Sequence, residues 1–359
     1  MRLLSTLLVA FAALAIAAPA AATSWTAGER HLTTTTASAA ARNHGDGTLR
    51  ITLWYPSTAP EQDLDIGPRD NPVFIAGRAA PGAPFADDAR RPLILVSHGF
   101  GGAARQMAWL GVTLARAGYV VVAVDHPGTN GVDGVTAEGA YAPWARADDL
   151  RAALDFVLAD PKLAAHVDAG RIGVAGFSLG GFTSLLELGA RTDFAHLDAF
   201  CRGPSRDAIC DPQLEYPIHI DQRGPTLAEP AMAPIAAREH ADFRDRRVRA
   251  AFLIAPAVIQ GLDFASLGRI KAPVAIALGD ADPVAPPATN GELAAKLVSG
   301  ATIDVIPNVG HYDFLAVCGA AGLANAKAYC TDRPGVSRAE THERVEREAV
   351  AFFDRTLKR

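Results

Sequence analysis

The chain has 359 residues, of which 49% are hydrophobic and 20% are charged, and its formal net charge is −5. This is the composition of a globular protein with enough apolar residues for one large domain or two modest ones. A slightly acidic chain without a long basic run lacks the charge pattern of proteins that bind nucleic acids or anionic membrane surfaces.

Residues 1–22 have the pattern of a secretory signal peptide. Arg2 precedes an apolar run over residues 3–18, and small residues follow it up to Ala22. A transmembrane anchor is the alternative, but the run is shorter than the roughly 20 residues that span a bilayer. No cysteine follows the run, which argues against a lipoprotein anchor. We therefore expect a periplasmic or secreted mature protein, starting after Ala22, that is not stably inserted in a membrane.

The next part of the chain has little regular pattern. Residues 23–46 are rich in Thr and Ala and have no clear period, whereas residues 47–56 alternate between apolar and polar and indicate a strand. Residues 57–91 are crowded with Pro, Gly and Asp, which predicts a loop.

From residue 91 onward, short apolar runs alternate with helix-like segments. Runs rich in Val, Ile, Leu and Ala that end at Gly, Asp or Pro are typical of strands buried on both faces, as in a parallel sheet. The alternation predicts an α/β fold with a doubly wound, mostly parallel sheet. The predicted strands are residues 91–99, 118–128, 171–178, 247–256, 272–280 and 301–310, and the predicted helices are residues 105–117, 146–158, 179–190, 287–297 and 338–357.

The alternation of predicted strands and helices is interrupted by a polar, Pro-rich segment, residues 192–247. A connection of this length inside a domain is usually functional, so we interpret it as a lid-like insertion in a single domain of residues 23–359. The chain has four cysteines, which fall in two close pairs, and an exported chain favours disulfides. Three pairings are possible, and we expect the local one, Cys201 with Cys210 and Cys318 with Cys330. No Cys-x-x-Cys motif or histidine-rich spacing supports a zinc site, and we expect no metal or cofactor.

A candidate nucleophile, Ser178, lies between Gly176 and Gly180, at the junction of a predicted strand and a predicted helix. In the Gly-x-Ser-x-Gly pattern the serine occupies a strained turn, and only glycine fits two residues to either side. Such a turn presents the hydroxyl at the carboxyl end of the sheet, where ligands bind in folds of this class. The following helix begins beside the serine, and its free amides favour a developing negative charge.

A serine hydroxyl needs a base, and a histidine base needs a carboxylate that fixes its tautomer. His311 follows the last predicted strand and is the candidate base. Asp280 and Asp282 both follow the strand before it. We prefer Asp282 because a short loop after the strand gives room to turn back toward His311 and Pro283 stiffens the turn. Asp280 would then brace the loop.

Ester chemistry also needs donors for the oxyanion. The glycine-rich loop after His98 places the amide of Phe100 near the serine, and Leu179 supplies a second amide. His98 and His126 also end strands, and both are interpreted as structural. Seven further histidines have surroundings that suggest the surface or the insertion: His31, His44, His166, His196, His219, His240 and His342.

The motifs LWYP, LVSHGFGG, GYVVVAVDHPGTN, GVAGFSLGG and GHYDFLAVC resemble the α/β-hydrolase superfamily. More narrowly, they are similar to bacterial predicted dienelactone hydrolases and platelet-activating factor acetylhydrolases. The resemblance implies the order Ser178, Asp282, His311 for the triad, with Phe100 and Leu179 as oxyanion donors. The nucleophile is a serine here, whereas dienelactone hydrolases use a cysteine. In the acetylhydrolases the acid follows the strand after the nucleophile's; here that strand is followed by no carboxylate before Asp263, a weaker candidate.

These features together predict an exported serine hydrolase of carboxylic esters. Candidate substrates are short-acyl esters and, as the resemblance implies, acetyl esters of phospholipids, and short aryl esters and polyesters also stay open. The alternatives are an acyltransferase or peptidase with the same triad, or a hydrolase-like binding protein without activity.

Overall fold

The computed structural model describes residues 25–358, so the predicted signal peptide of residues 1–22 lies outside the described residues. Two groups of strands are found, a large sheet and a small hairpin. The strands are β1 (Thr26–Thr35), β2 (Thr48–Ser57), β3 (Gln62–Ile66), β4 (Phe74–Pro81), β5 (Arg91–Ser97), β6 (Val120–Asp125), β7 (Thr129–Asn130), β8 (Gly134–Val135), β9 (Val167–Phe177), β10 (Val248–Ile254), β11 (Val274–Gly279), β12 (Thr302–Ile306) and β13 (Val317–Cys318).

The α-helices range from single turns to the 20-residue C-terminal helix. They are α1 (Ala37–Asn43), α2 (Ala108–Arg116), α3 (Ala137–Tyr141), α4 (Ala145–Ala159), α5 (Pro161–Ala164), α6 (Leu179–Glu187), α7 (Phe194–Arg202), α8 (Arg223–Leu227), α9 (Ala233–Ala236), α10 (Phe264–Leu267), α11 (Gly291–Leu297), α12 (Ala320–Asn325), α13 (Lys327–Cys330) and α14 (Arg338–Leu357). Short 3-10 turns are found at Ala104–Met107, Ala208–Cys210, Ile220–Gln222, Ile259–Gly261, Pro287–Thr289 and His311–Phe314. Across residues 25–358, none of the helices is both long and apolar enough to cross a membrane.

The large sheet is mixed but mostly parallel, as the alternating sequence pattern predicts. Its order is β12-β11-β10-β9-β5-β6-β2-β1-β4-β13, with β3 paired to β4. The run from β12 to β6 is parallel throughout, whereas β2 is antiparallel to both β6 and β1. The carboxyl ends of the parallel strands therefore meet at one edge, which is where such sheets carry their sites.

Helices cover both faces of the sheet and form two hydrophobic cores. Leu150 of α4 and Phe182 of α6 pack in one core, and Leu110 of α2 and Phe353 of α14 pack in the other. The central strands are buried on both faces, which explains their continuous apolar sequences.

The loop prediction for residues 57–91 was wrong, because this segment contains β3 and β4, and the unpatterned residues 23–46 contain β1 and α1. β1 pairs with β2 along its whole length, and β4 pairs with β1, β3 and β13. These strands extend the sheet at its outer side, where one face or edge stays open to water. Pairing with neighbouring strands stabilises them, so a continuous local apolar run is not required.

The insertion, residues 192–247, consists of short helices and turns that pack over the sheet edge. Trp144 Nε1 donates a hydrogen bond to the carbonyl of Ile235 at 3.0 Å and so ties the insertion to α4. The structure pairs Cys201 with Cys210 within the insertion, and Cys318 with Cys330 in the segment after His311. This is the local pairing expected from the spacing.

Candidate active site

Ser178 lies at the junction of β9 and α6 in a strained backbone conformation, with φ of 55° and ψ of −118°. Its amide donates to the carbonyl of Ile254 at 2.8 Å, which anchors the turn to the neighbouring strand β10. A Cβ at Gly176 would lie 2.1 Å from the carbonyl oxygen of Gly180, and one at Gly180 would lie 2.0 Å from that of Ser97. Both glycines are therefore required by backbone that packs directly against them.

His311 and Asp282 lie beside this serine at the carboxyl edge of the sheet. His311 Nε2 is 2.8 Å from Ser178 Oγ, and His311 Nδ1 is 2.6 Å from Asp282 Oδ2. The other oxygen of Asp282 accepts the amides of Val284 and Ala285 at 2.9 and 2.8 Å. All three side chains are buried, so the hydrogen bonds form in a site with little access for water. With Nδ1 donating to the carboxylate, Nε2 is free to accept the serine proton.

The competing carboxylates have other partners. Asp280 is exposed, and its carboxylate accepts the amide of Asn308 at 2.6 Å, which braces the loop between β12 and His311. Asp263 caps the start of α10 by accepting the amide of Ala265 at 2.9 Å. Of these carboxylates, Asp282 is the one within hydrogen-bonding distance of His311.

The loop after β5, which carries Phe100, passes beside Ser178, since a Cβ at Gly99 would lie 3.3 Å from Ser178 Cβ, and Leu179 is the first residue of α6. Phe100, Leu179 and Ser178 line a common cavity. Within residues 25–358, neither amide donates a hydrogen bond to another backbone group or side chain. Two free amides beside a serine hydroxyl suit the developing charge of an oxyanion.

A buried polar network that the sequence did not reveal lies under this loop. Arg146 is fully buried, and its guanidinium donates to the carbonyl of His98, to Thr129 Oγ1 at 2.7 Å and to Thr183 Oγ1 at 3.2 Å. Burial lowers the pKa of Arg146 to about 9, which still leaves it charged at neutral pH. The network fixes the backbone at His98, two residues before Phe100.

Both ring nitrogens of His98 and both of His126 have hydrogen-bond partners within the buried network, so these two histidines have a structural role. His98 Nδ1 lies 2.5 Å from the carbonyl of Gly99, and its Nε2 accepts the amide of His126 at 3.1 Å. His126 Nε2 lies 2.8 Å from Ser97 Oγ, and its Nδ1 lies 3.0 Å from Asp149, which also pairs with Arg42. Burial, together with nearby Arg146, lowers the pKa of both histidines well below the usual range, so both are neutral.

Of the remaining histidines, His342 was wrongly expected at the surface or in the insertion. It is buried on α14 and stacks on Trp109, with ring centroids 4.2 Å apart and an interplanar angle of 3°. Its local sequence is charged because only one face of α14 is buried, and His342 lies on that face.

Ser178 opens on two cavities of different character. The smaller, of about 140 Å³, has mostly apolar walls, and the disulfide of the insertion forms part of them. Its apolar and aromatic lining includes Tyr141, Phe194, Leu197, Ile209, Ile218 and Val258. The larger, of about 430 Å³, includes His311 and is lined by more polar residues, among them Asn130, Gln213, Glu215, Tyr312 and Tyr329.

Glu215 and Tyr312 are further site residues to which sequence analysis assigned no role. Tyr312 follows His311 directly, and its hydroxyl donates to Glu215 Oε1 at 3.1 Å. Burial raises the pKa of Glu215 and also that of Tyr312. Adjacency to His311 was a usable signal for Tyr312, whereas no pattern marked Glu215.

For metal binding, residues 25–358 contain no group of three or more His, Cys, Asp or Glu side chains arranged to hold an ion.

The chain is similar to known esterases over its central part. A family model described as PET hydrolase-like matches residues 84–197, which is less than half of the chain. A cutinase of Thermobifida alba is 36% identical over 102 residues, which cover 28% of this chain and 31% of the cutinase. A bis(hydroxyethyl) terephthalate hydrolase of Streptomyces coelicolor is 33% identical over 88 residues, covering 24% of this chain and 25% of that enzyme. The chain thus matches only about a third or less of the length of these relatives.

The matched segment contains Phe100 and Ser178 but ends before Asp282 and His311. The fold comparison spans nearly the whole chain. A ferulic acid esterase from Streptomyces cinnamoneus superposes with a TM-score of 0.61 over 96% of this chain and 93% of the esterase, at 23% sequence identity. The narrower resemblance to dienelactone hydrolases and acetylhydrolases stays a prediction. The fold is therefore that of the α/β-hydrolases, and the matched central segment is similar in sequence to PET hydrolases and cutinases.

Proposed function

We propose that this protein is a serine hydrolase of carboxylic esters, with Ser178 as nucleophile, His311 as base and Asp282 as the acid that orients it. The observation that carries the proposal is the continuous hydrogen-bonded chain from Ser178 Oγ through the imidazole to Asp282, at 2.8 and 2.6 Å. The related cutinases and the ferulic acid esterase support the choice of esters as the substrate class.

In the proposed reaction Ser178 Oγ attacks the ester carbonyl while His311 Nε2 takes the hydroxyl proton. The amides of Phe100 and Leu179 stabilise the oxyanion, and each such donor is typically worth about 2.7–4 kcal/mol of transition-state stabilisation. His311 then gives its proton to the departing alcohol, leaving an acyl group on Ser178. A water molecule, activated by the same imidazole, hydrolyses the acyl-enzyme.

We further propose that the protein is exported and that the insertion shapes the substrate site. Two disulfides support export, because disulfides persist in oxidising compartments. The insertion lines both cavities at Ser178, which supports a role in substrate selection.

Labelling with a fluorophosphonate probe tests the proposal. We expect stoichiometric labelling at Ser178, none in Ser178→Ala, and hydrolysis of p-nitrophenyl esters by the wild-type protein only. A folded wild-type protein that neither labels nor hydrolyses any ester would support the hydrolase-like binding protein instead. Rates over a series of acyl lengths would then define the acyl preference, and a flat series would contradict a short-acyl enzyme.

A further inference from the structure

The two cavities at Ser178 differ in their relation to the base. His311 lines the larger cavity and is not among the residues that line the smaller one, whereas Leu179 lines the smaller one. In ester hydrolysis by a serine and a histidine, the imidazole protonates the leaving alcohol. The alcohol part of the substrate must therefore lie on the side of His311, in the larger cavity, and the acyl part extends into the smaller, apolar one.

Glu215 is the only Asp, Glu, Lys or Arg that lines this larger cavity in the described part of the chain. It belongs to the insertion and lies close against the oxyanion loop, since a Cβ at Gly101 would be 2.7 Å from its Cβ and Cγ atoms. Tyr312 holds one carboxylate oxygen from the other side, at 3.1 Å. The carboxylate is thus fixed between the loop that carries Phe100 and the turn that carries His311.

The second carboxylate oxygen of Glu215 remains available to a ligand. Within residues 25–358, Tyr312 is the one other residue that donates a hydrogen bond to the carboxylate, and the backbone amide of Glu215 itself also contacts the carboxylate. A partly buried carboxylate with a free acceptor favours a hydrogen-bond donor and disfavours an anion, because an anion and a carboxylate repel each other.

We propose that Glu215 is a specificity-determining residue that accepts a hydrogen bond from a hydroxyl group on the alcohol part of the ester. This inference rests on the proposed esterase activity. It assigns as preferred substrates the esters of diols and other hydroxylated alcohols. It also places esters whose alcohol part carries a phosphate among the poor substrates.

The contribution of the hydroxyl group can be measured by comparing two esters with the same acyl group, 2-hydroxyethyl butyrate and 2-methoxyethyl butyrate. Both alcohols have an electron-withdrawing oxygen at the same position, but only the first can donate a hydrogen bond. We expect wild-type kcat/KM to favour the hydroxyethyl ester by about tenfold to a hundredfold, the range for a hydrogen bond to a charged group. Proton release at constant pH measures both rates.

Glu215→Leu and Glu215→Ala each remove the carboxylate, so that a folding defect in one leaves the other to decide. In both, the ratio of the two kcat/KM values should fall to near one, while Glu215→Gln, which keeps an acceptor oxygen, should retain part of the preference. Glu229→Leu, at an exposed position of the same insertion, is the matched control and should keep the wild-type ratio. Because each ratio is taken within one variant, a general loss of activity does not mimic the effect.

The cavity assignment has its own test at Ile209, which lines the smaller cavity. Ile209→Trp should lower the rate on hexanoate esters relative to butyrate esters and leave the hydroxyethyl-to-methoxyethyl ratio unchanged. The reverse pattern would overturn the assignment of acyl and alcohol sides.

A wild-type ratio near one, or a ratio that survives loss of the carboxylate, would overturn the role of Glu215 although the protein still hydrolysed both esters through Ser178. Failure of the esterase proposal looks different: neither ester is hydrolysed, or Ser178→Ala hydrolyses both as fast as the wild-type protein.

Discussion

Replacing Asp282 by Asn tests the triad more sharply than removing any of its members, because the change is almost isosteric. The amides of Val284 and Ala285 donate to Asp282 Oδ1 at 2.9 and 2.8 Å. In Asp282→Asn these two donors hold the amide oxygen in place, and the NH2 group must then face His311 Nδ1. The imidazole responds by moving its proton to Nε2, where it can no longer accept the proton of Ser178.

The expected loss of activity in Asp282→Asn follows from the free-energy cost of turning the new side-chain amide to its opposite orientation. Turning the oxygen toward His311 would restore the useful tautomer but leave the two buried amides facing an NH2 group. Each buried unpaired donor costs about 1–3 kcal/mol, so the flip costs about 2–6 kcal/mol. At about 1.4 kcal/mol per factor of ten, the active orientation is populated at roughly one part in 30 to one part in 10⁴.

We therefore expect kcat of Asp282→Asn on a p-nitrophenyl ester to fall by about 30-fold to 10⁴-fold, with KM nearly unchanged. Thermal unfolding should stay close to wild type, since the loop hydrogen bonds are kept. Asp280→Asn is the control: its amide oxygen can still accept the Asn308 amide, and activity should stay within about twofold, as for exposed substitutions in general. An Asp282→Asn protein that kept a third or more of wild-type kcat would refute the role of Asp282.

Two further predictions concern stability. Gly180→Ala would place a Cβ 2.0 Å from the Ser97 carbonyl oxygen, so we expect the free energy of unfolding, measured in urea, to fall by about 3 kcal/mol or more. In the control Gly224→Ala the new Cβ meets no atom within 4 Å, and this variant should unfold like wild type. Equal stabilities of the two variants would contradict the packing argument. Glu187 is fully buried, and neither of its carboxylate oxygens has a hydrogen-bond partner within the described chain. Burial, reinforced by nearby Asp245, raises its pKa well above the usual value. Because the folded protein binds this proton more tightly than the unfolded chain, the stability of the fold decreases as the pH rises from the unfolded pKa near 4.5 toward the raised pKa of the folded protein. Glu187→Gln should raise the free energy of unfolding at pH 8 by about 1–3 kcal/mol, seen as a higher melting temperature, and should have little effect at pH 4. The same gain at both pH values would contradict this account.

The centre of the fold was predictable because each of its strands carries a local signal. Strands that are buried on both faces have continuous apolar sequences, and this holds for β5, β6, β10 and β11. In a parallel sheet these runs all end at the same edge. Residues that close different strands, such as Ser178, Asp282 and His311, are therefore brought together by topology alone.

The outer part of the sheet had no comparable signal. β4 contains Gly77, with φ of 124°, and ends at Pro81, two features that usually indicate a loop. β3 is its neighbour in sequence, but β1 and β13 come from distant parts of the sequence, so pairing with these two strands depends on tertiary structure. A local pattern cannot reveal a strand whose stability comes from such partners.

The site likewise contains residues that a local sequence pattern indicates and residues that only tertiary contacts bring into place. The reacting groups are attached to strand ends, so their type and order are sufficient to predict a reaction class. Glu215 reaches Tyr312 across 97 positions from a polar segment without periodicity, and Arg146 reaches the carbonyl of His98 across 48. The first contact depends on how the insertion packs over the sheet, and the second depends on how α4 packs against the loop after β5. The proposed catalytic groups are therefore indicated by local sequence, whereas the shape and polarity of the two cavities depend on how residues 192–247 pack against the sheet edge.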